Sequence, residues 1–276
     1  MSGRLEGKVA LITGAAHGQG RSHAIRLAEE GADIIAVDIC ESIASAPYPM
    51  GTAEELAETA AAVIGTGRRI VTRKVDVRDQ AGLGAAVQQG VAELGRLDIV
   101  AASAGIFHNA SFVEMTDAEW HEMVDVNLHG VYNTLKVSVP YLVDQGAGGS
   151  IVITSSAGGV RSWPNMAHYC STKHAVIGLM LSLANELGPH GIRVNCVAPT
   201  TVDTPMIQNE VTWAGVGVRD SEEFGALYKG QHLLPFPWVE ARDISNAVLW
   251  LASEEGRHVT GVTLPVDLGV LQKTTA

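Results

Sequence analysis

The feature that most constrains this chain is a repeated alternation of two kinds of segment. Short, continuously apolar runs occupy residues 8–13, 33–37, 69–75, 97–101, 150–154, 193–198 and 261–266. Longer stretches with helical spacing of apolar residues lie among them, at 18–30, 79–94, 117–142, 165–188 and 241–253. Strands that are apolar on both faces must be covered on both faces, which is the condition of a parallel sheet between two helical layers. Right-handed crossovers then wind the chain into a doubly wound parallel α/β sheet, a three-layer α/β/α fold whose ligands sit outside the carboxyl ends of the strands. In the first helix Ile25, Leu27 and Ala28 are expected to face the sheet.

No low-complexity linker divides the sequence, so residues 1–276 read as one domain. Hydrophobic residues at 46% against 18% charged supply a large core and argue against disorder. Two segments look inserted. Residues 40–52 carry Pro47 and Pro49, which forbid a regular helix. Residues 204–239 carry Gly215, Gly217, Pro235 and Pro237 and suit a mobile flap over a pocket. An ordinary surface excursion is the alternative for each.

A net charge of −11 argues against nucleic acid or an anionic membrane surface as partner. The start of the chain is polar and no apolar run approaches the ~20 residues that span a bilayer. Cys40, Cys170 and Cys196 lack metal-ligand spacing and are odd in number, as for reduced thiols in a cytoplasmic protein. The ten histidines are scattered, so no metal is expected.

The first strand ends in Thr13-Gly14-Ala15-Ala16-His17-Gly18-Gln19-Gly20, and a helix follows at once. Gly14 allows the sharp turn, Gly18 lets the backbone approach a diphosphate, and Gly20 permits helix-on-strand packing. The free amides of the helix N-terminus then face negative charge. Asp38 closes the second strand, where a carboxylate accepts hydrogen bonds from both hydroxyls of an adenosine ribose and repels a 2′-phosphate. NAD is therefore favoured over NADP; a loop cap is the alternative for Asp38. Asp76 is placed to meet the adenine edge, and Ser103-Ala104-Gly105 is a small-residue turn beside the cofactor path.

Tyr169 and Lys173 are an i, i+4 pair, so phenol and ammonium share one helix face. A nearby cation and a positive nicotinamide favour the phenolate, which can then take a proton from an alcohol as hydride leaves its carbon. Ser156, thirteen residues earlier, can hydrogen-bond the substrate oxygen; Ser155 is the competing choice. Asn127 is a polar residue in an apolar helix, either a satisfied core asparagine or a link in a proton relay to Lys173.

With these residues in place, the chain resembles the short-chain dehydrogenase/reductase family over nearly its whole length. The loop Gly14–Gly20 matches that family's Gly-x-x-x-Gly-x-Gly motif, and Asn127, Ser156, Tyr169 and Lys173 fall on its catalytic tetrad. The resemblance implies a seven-stranded Rossmann sheet, a homotetramer built from paired helices, and nicotinamide contacts from Val202 and Thr204. It implies cofactor contacts from Gly14, Ala16, His17, Gly18, Gln19 and Gly20, from Asp38, Ile39, Asp76 and Val77, and from Ser103, Ala104 and Gly105. Further contacts fall on Asn127, Tyr169, Lys173, Pro199, Val202, Thr204 and Met206. Two departures stand out: the usual Asn-Asn-Ala-Gly reads Ala102-Ser103-Ala104-Gly105, and the usual Pro-Gly reads Pro199-Thr200.

A narrower resemblance, to the actinobacterial carveol dehydrogenase group, lies in Gly18-Gln19-Gly20-Arg21-Ser22-His23, in the segment holding Tyr48-Pro49, and in Val202-Asp203-Thr204-Pro205-Met206. It implies a hydrophobic alcohol or ketone substrate such as a terpenoid, NAD that does not exchange freely, and an external redox carrier, mycofactocin, as partner. Segment 40–52 would then cover the adenosine end. A reductase using free NAD(P)H on a ketone or acyl group, and a non-catalytic dinucleotide sensor, are the alternatives. Trp213, Phe224, Leu227, Leu233, Leu234, Phe236 and Trp238 are expected to form an apolar lid, or else core or subunit contacts.

Overall fold

A computed structural model describes residues 3–274. The chain opens with β1 (Val9–Thr13), α1 (Gly18–Glu29), β2 (Asp33–Asp38), α2 (Ala53–Gly65), β3 (Ile70–Lys74), α3 (Gln80–Leu94) and β4 (Ile99–Ala102). Next come α4 (Asp117–Val124), α5 (Gly130–Gln145), β5 (Gly149–Thr154), α6 (Ala167–Leu187), β6 (Ile192–Pro199) and β7 (Val202–Asp203). The chain closes with α7 (Glu210–Gly215), α8 (Ser221–Gln231), β8 (Val239–Glu240), α9 (Ala241–Ala252) and β9 (Thr263–Val266).

Seven strands pair in parallel in the order β3-β2-β1-β4-β5-β6-β9. Each strand feeds both faces: Leu11, Val100 and Ile151 pack under α3, α5 and α6, whereas Ile12, Ile99 and Val152 pack under α1, α2 and α9. The direction of winding reverses between β1 and β4, and a crevice opens there at the carboxyl ends.

Three local findings differ from the sequence-based expectation. Helix α2 was not expected, although Leu56, Thr59 and Val63 recur at helical spacing along its buried face. It also carries a capping box: Thr52 Oγ1 accepts from the Glu55 N–H, and the Glu55 carboxylate accepts from the Thr52 N–H. The single helix expected over 117–142 is two helices joined by a π turn, Asp125–His129, in which the Gly130 N–H reaches back to the Asp125 carbonyl. On α1 the buried face is Gly20, His23, Ala24, Leu27 and Ala28, and Ile25 is only half-buried.

The flap expected at 204–239 contains α7 and α8, and its base is closed by a two-stranded parallel sheet pairing Val202 with Val239 and Asp203 with Glu240. Among the described residues no helix is long and apolar enough to cross a membrane, and no group of three or more His, Cys, Asp or Glu side chains could hold a metal ion.

The seam between α1 and α9 carries His23, fully buried, with Nδ1 2.8 Å from Ser245 Oγ. Burial lowers its pKa to about 3. The folded state therefore resists a proton that the unfolded chain accepts near the ordinary histidine value of 6.5. Stability from this group is present above pH 6.5 and is lost as the pH falls towards 3. Urea denaturation at pH 7 and pH 5 should show the wild type losing about 2 kcal/mol more than His23→Leu over that interval. Equal losses would remove His23 from the account.

Candidate active site

At the start of α1 the backbone, not a side chain, makes the binding surface. His17 is extended and offers no side-chain cap, and no acidic residue stands in the first turn. The first amides are thus left for an anion. Gly18 has φ +55, a left-handed conformation that L side chains rarely adopt. At Gly20 a Cβ would lie 2.0 Å from the Gly14 carbonyl oxygen, so α1 could not approach β1 with any other residue there.

Two adjoining cavities share Gln19, Ser103, Gly105, Ile106, Thr204 and Met206. The first crosses the switch point and is walled by the glycine loop, Asp38, Ile39, Asp76 and Val77. Buried Gln19 Oε1 has no hydrogen-bond partner and sits on the shared boundary, an acceptor left for a ligand. Segment 40–52 folds over this cavity: Ile43, Met50 and Gly51 line it, while Ala46 and Tyr48 pack with Ile106, Met123 and Val126. The Ser45 N–H donates to Glu122 Oε2 at 2.8 Å, and the Phe107 N–H donates to the Tyr48 hydroxyl at 3.0 Å.

The second cavity, about 440 Å³, holds the titratable pair. Ser156, Tyr169 and Lys173 all line it. Helix α6 begins at Ala167 and not at 165, because Asn165 has φ +61 and cannot continue a right-handed helix. Lys173 Nζ lies 5.7 Å from the Tyr169 ring centroid and donates to the Thr154 carbonyl at 2.9 Å. Burial lowers Lys173 to about 8. Burial also pushes the Tyr169 phenol up to about 12, against a hydrogen bond from Ser156 that lowers it. Desolvation thus outweighs the protein's own groups at the phenol, and the depression expected of Lys173 together with a positive nicotinamide belongs to the cofactor-bound site. Phe107 packs edge-on against Tyr169, with ring centroids 5.0 Å apart.

Asn127 lines neither cavity; it is fully buried, with Oδ1 accepting from the Ile106 N–H at 2.8 Å and Nδ2 donating to the Ile106 carbonyl at 2.9 Å. Ala16 also stands off the cavity walls, because its N–H donates to Asp38 Oδ2 and Gly51 lies over it. Asp38 Oδ1 accepts from the Cys40 N–H, so this carboxylate both shapes the loop and faces the cavity. Asp76 is gripped by the Arg78 guanidinium and N–H. Ser155 spends its hydrogen on the Lys173 carbonyl, whereas Ser156 Oγ accepts from the Gly158 N–H beside the cavity. Ser103, in place of the family's usual asparagine, pairs with Thr154 Oγ1 at 2.9 Å.

A family model described as enoyl-(acyl carrier protein) reductase matches residues 14–271. The (−)-trans-carveol dehydrogenase of Rhodococcus erythropolis is 50% identical over 98% of this chain and 99% of its own length. The chain belongs to the short-chain dehydrogenase/reductase family. The structure of carveol dehydrogenase from Mycobacterium avium in complex with NAD superposes with a TM-score of 0.96 at 54% identity, covering 98% of this chain and all of that one. A short-chain dehydrogenase from Mycobacterium paratuberculosis bound to NAD gives 0.92 at 44% identity, over 98% and 100%.

In this family member the apolar wall of the larger cavity differs from the expected lid. Of the seven flap residues named from the sequence only Leu227 lines it. Phe224 is fully buried against Tyr228, and Leu233, Leu234 and Phe236 lie on the surface. Ile106, Phe107, Trp163, Met166 and Ile207 supply the wall instead, from loops whose inward direction no periodicity announces. Removing the Asn127 clamp leaves both polar groups of the Ile106 peptide unpaired. Asn127→Ala should lower the unfolding free energy in urea by about 2–4 kcal/mol, and a change below about 0.5 kcal/mol would contradict the clamp.

Proposed function

We propose that this oxidoreductase is an NAD-dependent dehydrogenase of hydrophobic secondary alcohols, a terpenoid such as carveol being one fitting substrate. The observation that carries the reading is the convergence of Ser156, Tyr169 and Lys173 on one cavity that adjoins the glycine loop and Asp38. NAD, when bound, supplies the nicotinamide that accepts a hydride from the carbinol carbon. Tyr169 takes the hydroxyl proton as the carbon–oxygen double bond forms. Ser156 holds the substrate oxygen through its hydroxyl. Lys173, cationic below about pH 8, favours the phenolate. Asn127 acts through Ile106 as a positioning residue, since Ile106 borders both cavities. Asp38 selects NAD by repelling a 2′-phosphate.

The covering segment extends this reading to cofactor retention. Residues 40–52 are anchored by Tyr48 and Ser45 and close over the adenosine end of the groove. NAD then stays bound between turnovers, and its two electrons pass to an external redox carrier of the mycofactocin kind. Assembly as a homotetramer fits the apolar surface at Tyr132 on α5 and Leu181 on α6.

Kinetic and cofactor-retention measurements test this. Tyr169→Phe should lower kcat/KM for carveol by about 10²–10⁴-fold while leaving bound NAD in place; a loss below tenfold would remove Tyr169 as the proton acceptor. Purified protein, denatured and assayed, should release NAD, and turnover of an alcohol panel should need an artificial electron acceptor and not added NAD. Tyr48→Phe should speed NAD exchange. Free release of NADH by the wild type would refute retention while leaving the dehydrogenase reading intact.

A further inference from the structure

One polar group on the substrate-cavity wall has its hydrogen-bonding sense fixed from behind. Thr200 lines the cavity, at the position where Pro-Gly is the family's habit, and its Oγ1 lies 2.9 Å from Nε2 of His232. Nδ1 of the same ring lies 2.8 Å from the Phe236 carbonyl oxygen. A carbonyl only accepts, so Nδ1 carries the hydrogen and Nε2 of the neutral ring is a bare acceptor. Thr200 must then donate its one hydrogen to His232. What remains for the cavity is a hydroxyl oxygen with lone pairs and no hydrogen.

The surroundings hold this arrangement. His232 is 2% exposed, and its own peptide carbonyl accepts from Lys273 Nζ at 3.0 Å. Burial and the Lys273 charge lower the His232 pKa against the Phe236 carbonyl and the Asp267 carboxylate, which keeps the ring neutral. Asn109, Asn165 and Gln231 also border the cavity, but an amide carries donor and acceptor together and can turn to suit either kind of ligand. Thr200 cannot.

We propose that Thr200, set by His232, forms a subsite that selects alcohols bearing a second hydrogen-bond donor, a hydroxyl remote from the carbinol that reacts. An ether or carbonyl oxygen at that place would meet lone pairs with lone pairs. The preferred substrates are then alicyclic alcohols with a second hydroxyl, ahead of mono-alcohols such as carveol, and the product is a hydroxyketone that keeps that hydroxyl. This rests on the alcohol dehydrogenase reading above.

The test compares cyclohexane-1,3-diol and cyclohexane-1,4-diol with their mono-methyl ethers, by kcat/KM with an artificial electron acceptor and by titration calorimetry. In the wild type at least one diol should exceed its ether by about 10-fold or more in both measurements. Thr200→Ser should keep that ratio, and Thr200→Val should bring it to within about twofold, with melting temperatures checked for both. Wild-type ratios near one, or a preference that survives in Thr200→Val, would overturn the subsite. If no alcohol is oxidised under any condition, the dehydrogenase reading fails and the calorimetric ratio alone decides the subsite. Oxidation of every compound without preference defeats the subsite and leaves the dehydrogenase reading standing.

Discussion

The site is organised around one ammonium group taken out of water. Lys173 reaches its place because α6 packs along β6 and aims its seventh residue, one turn beyond Tyr169, towards the end of β5. There the Thr154 carbonyl accepts one of its hydrogens, and Gly105 leaves the space that a Cβ would narrow to 3.5 Å from Nζ. A buried cation is costly unless it is solvated by fixed dipoles. The Thr154 carbonyl is one such dipole, and the phenol stands next to the ammonium, where desolvation raises the phenol's pKa as it lowers the ammonium's. Burial thus favours the protonated phenol, and in the proposed reaction the positive nicotinamide of bound NAD would favour the phenolate.

Much of this was legible in the sequence because it is written in short-range patterns. Apolar strands separated by helical periods dictate the sheet, and the glycine spacing dictates the tight contact of α1 with β1. The i, i+4 relation of Tyr169 and Lys173 follows from helix geometry alone. What was not legible depends on partners distant in the chain. Nothing near Asn127 announces that both its amide groups will be spent on Ile106. Phe107 likewise has no local signal for its place against Tyr169.

The flap illustrates a different limit. Its aromatic and leucine residues satisfy a lid by composition, yet Phe224 turns into the interior and Leu233 and Leu234 remain outside, held through their backbones to Leu268. Composition counts apolar side chains but not their directions, and directions within irregular segments are set by tertiary packing.

The short β7–β8 pairing at the base of the flap has an evolutionary consequence. By joining Val202 to Val239 and Asp203 to Glu240, it brings both ends of the excursion to one point beside the sheet. The entropy of closing the loop is met at that clip and depends only weakly on what lies beyond it. Residues between the two strands can therefore be exchanged, lengthened or shortened as a cassette, with the register of the seven-stranded sheet undisturbed. A lineage built on this chain can diversify the molecules it accepts without renegotiating how it folds.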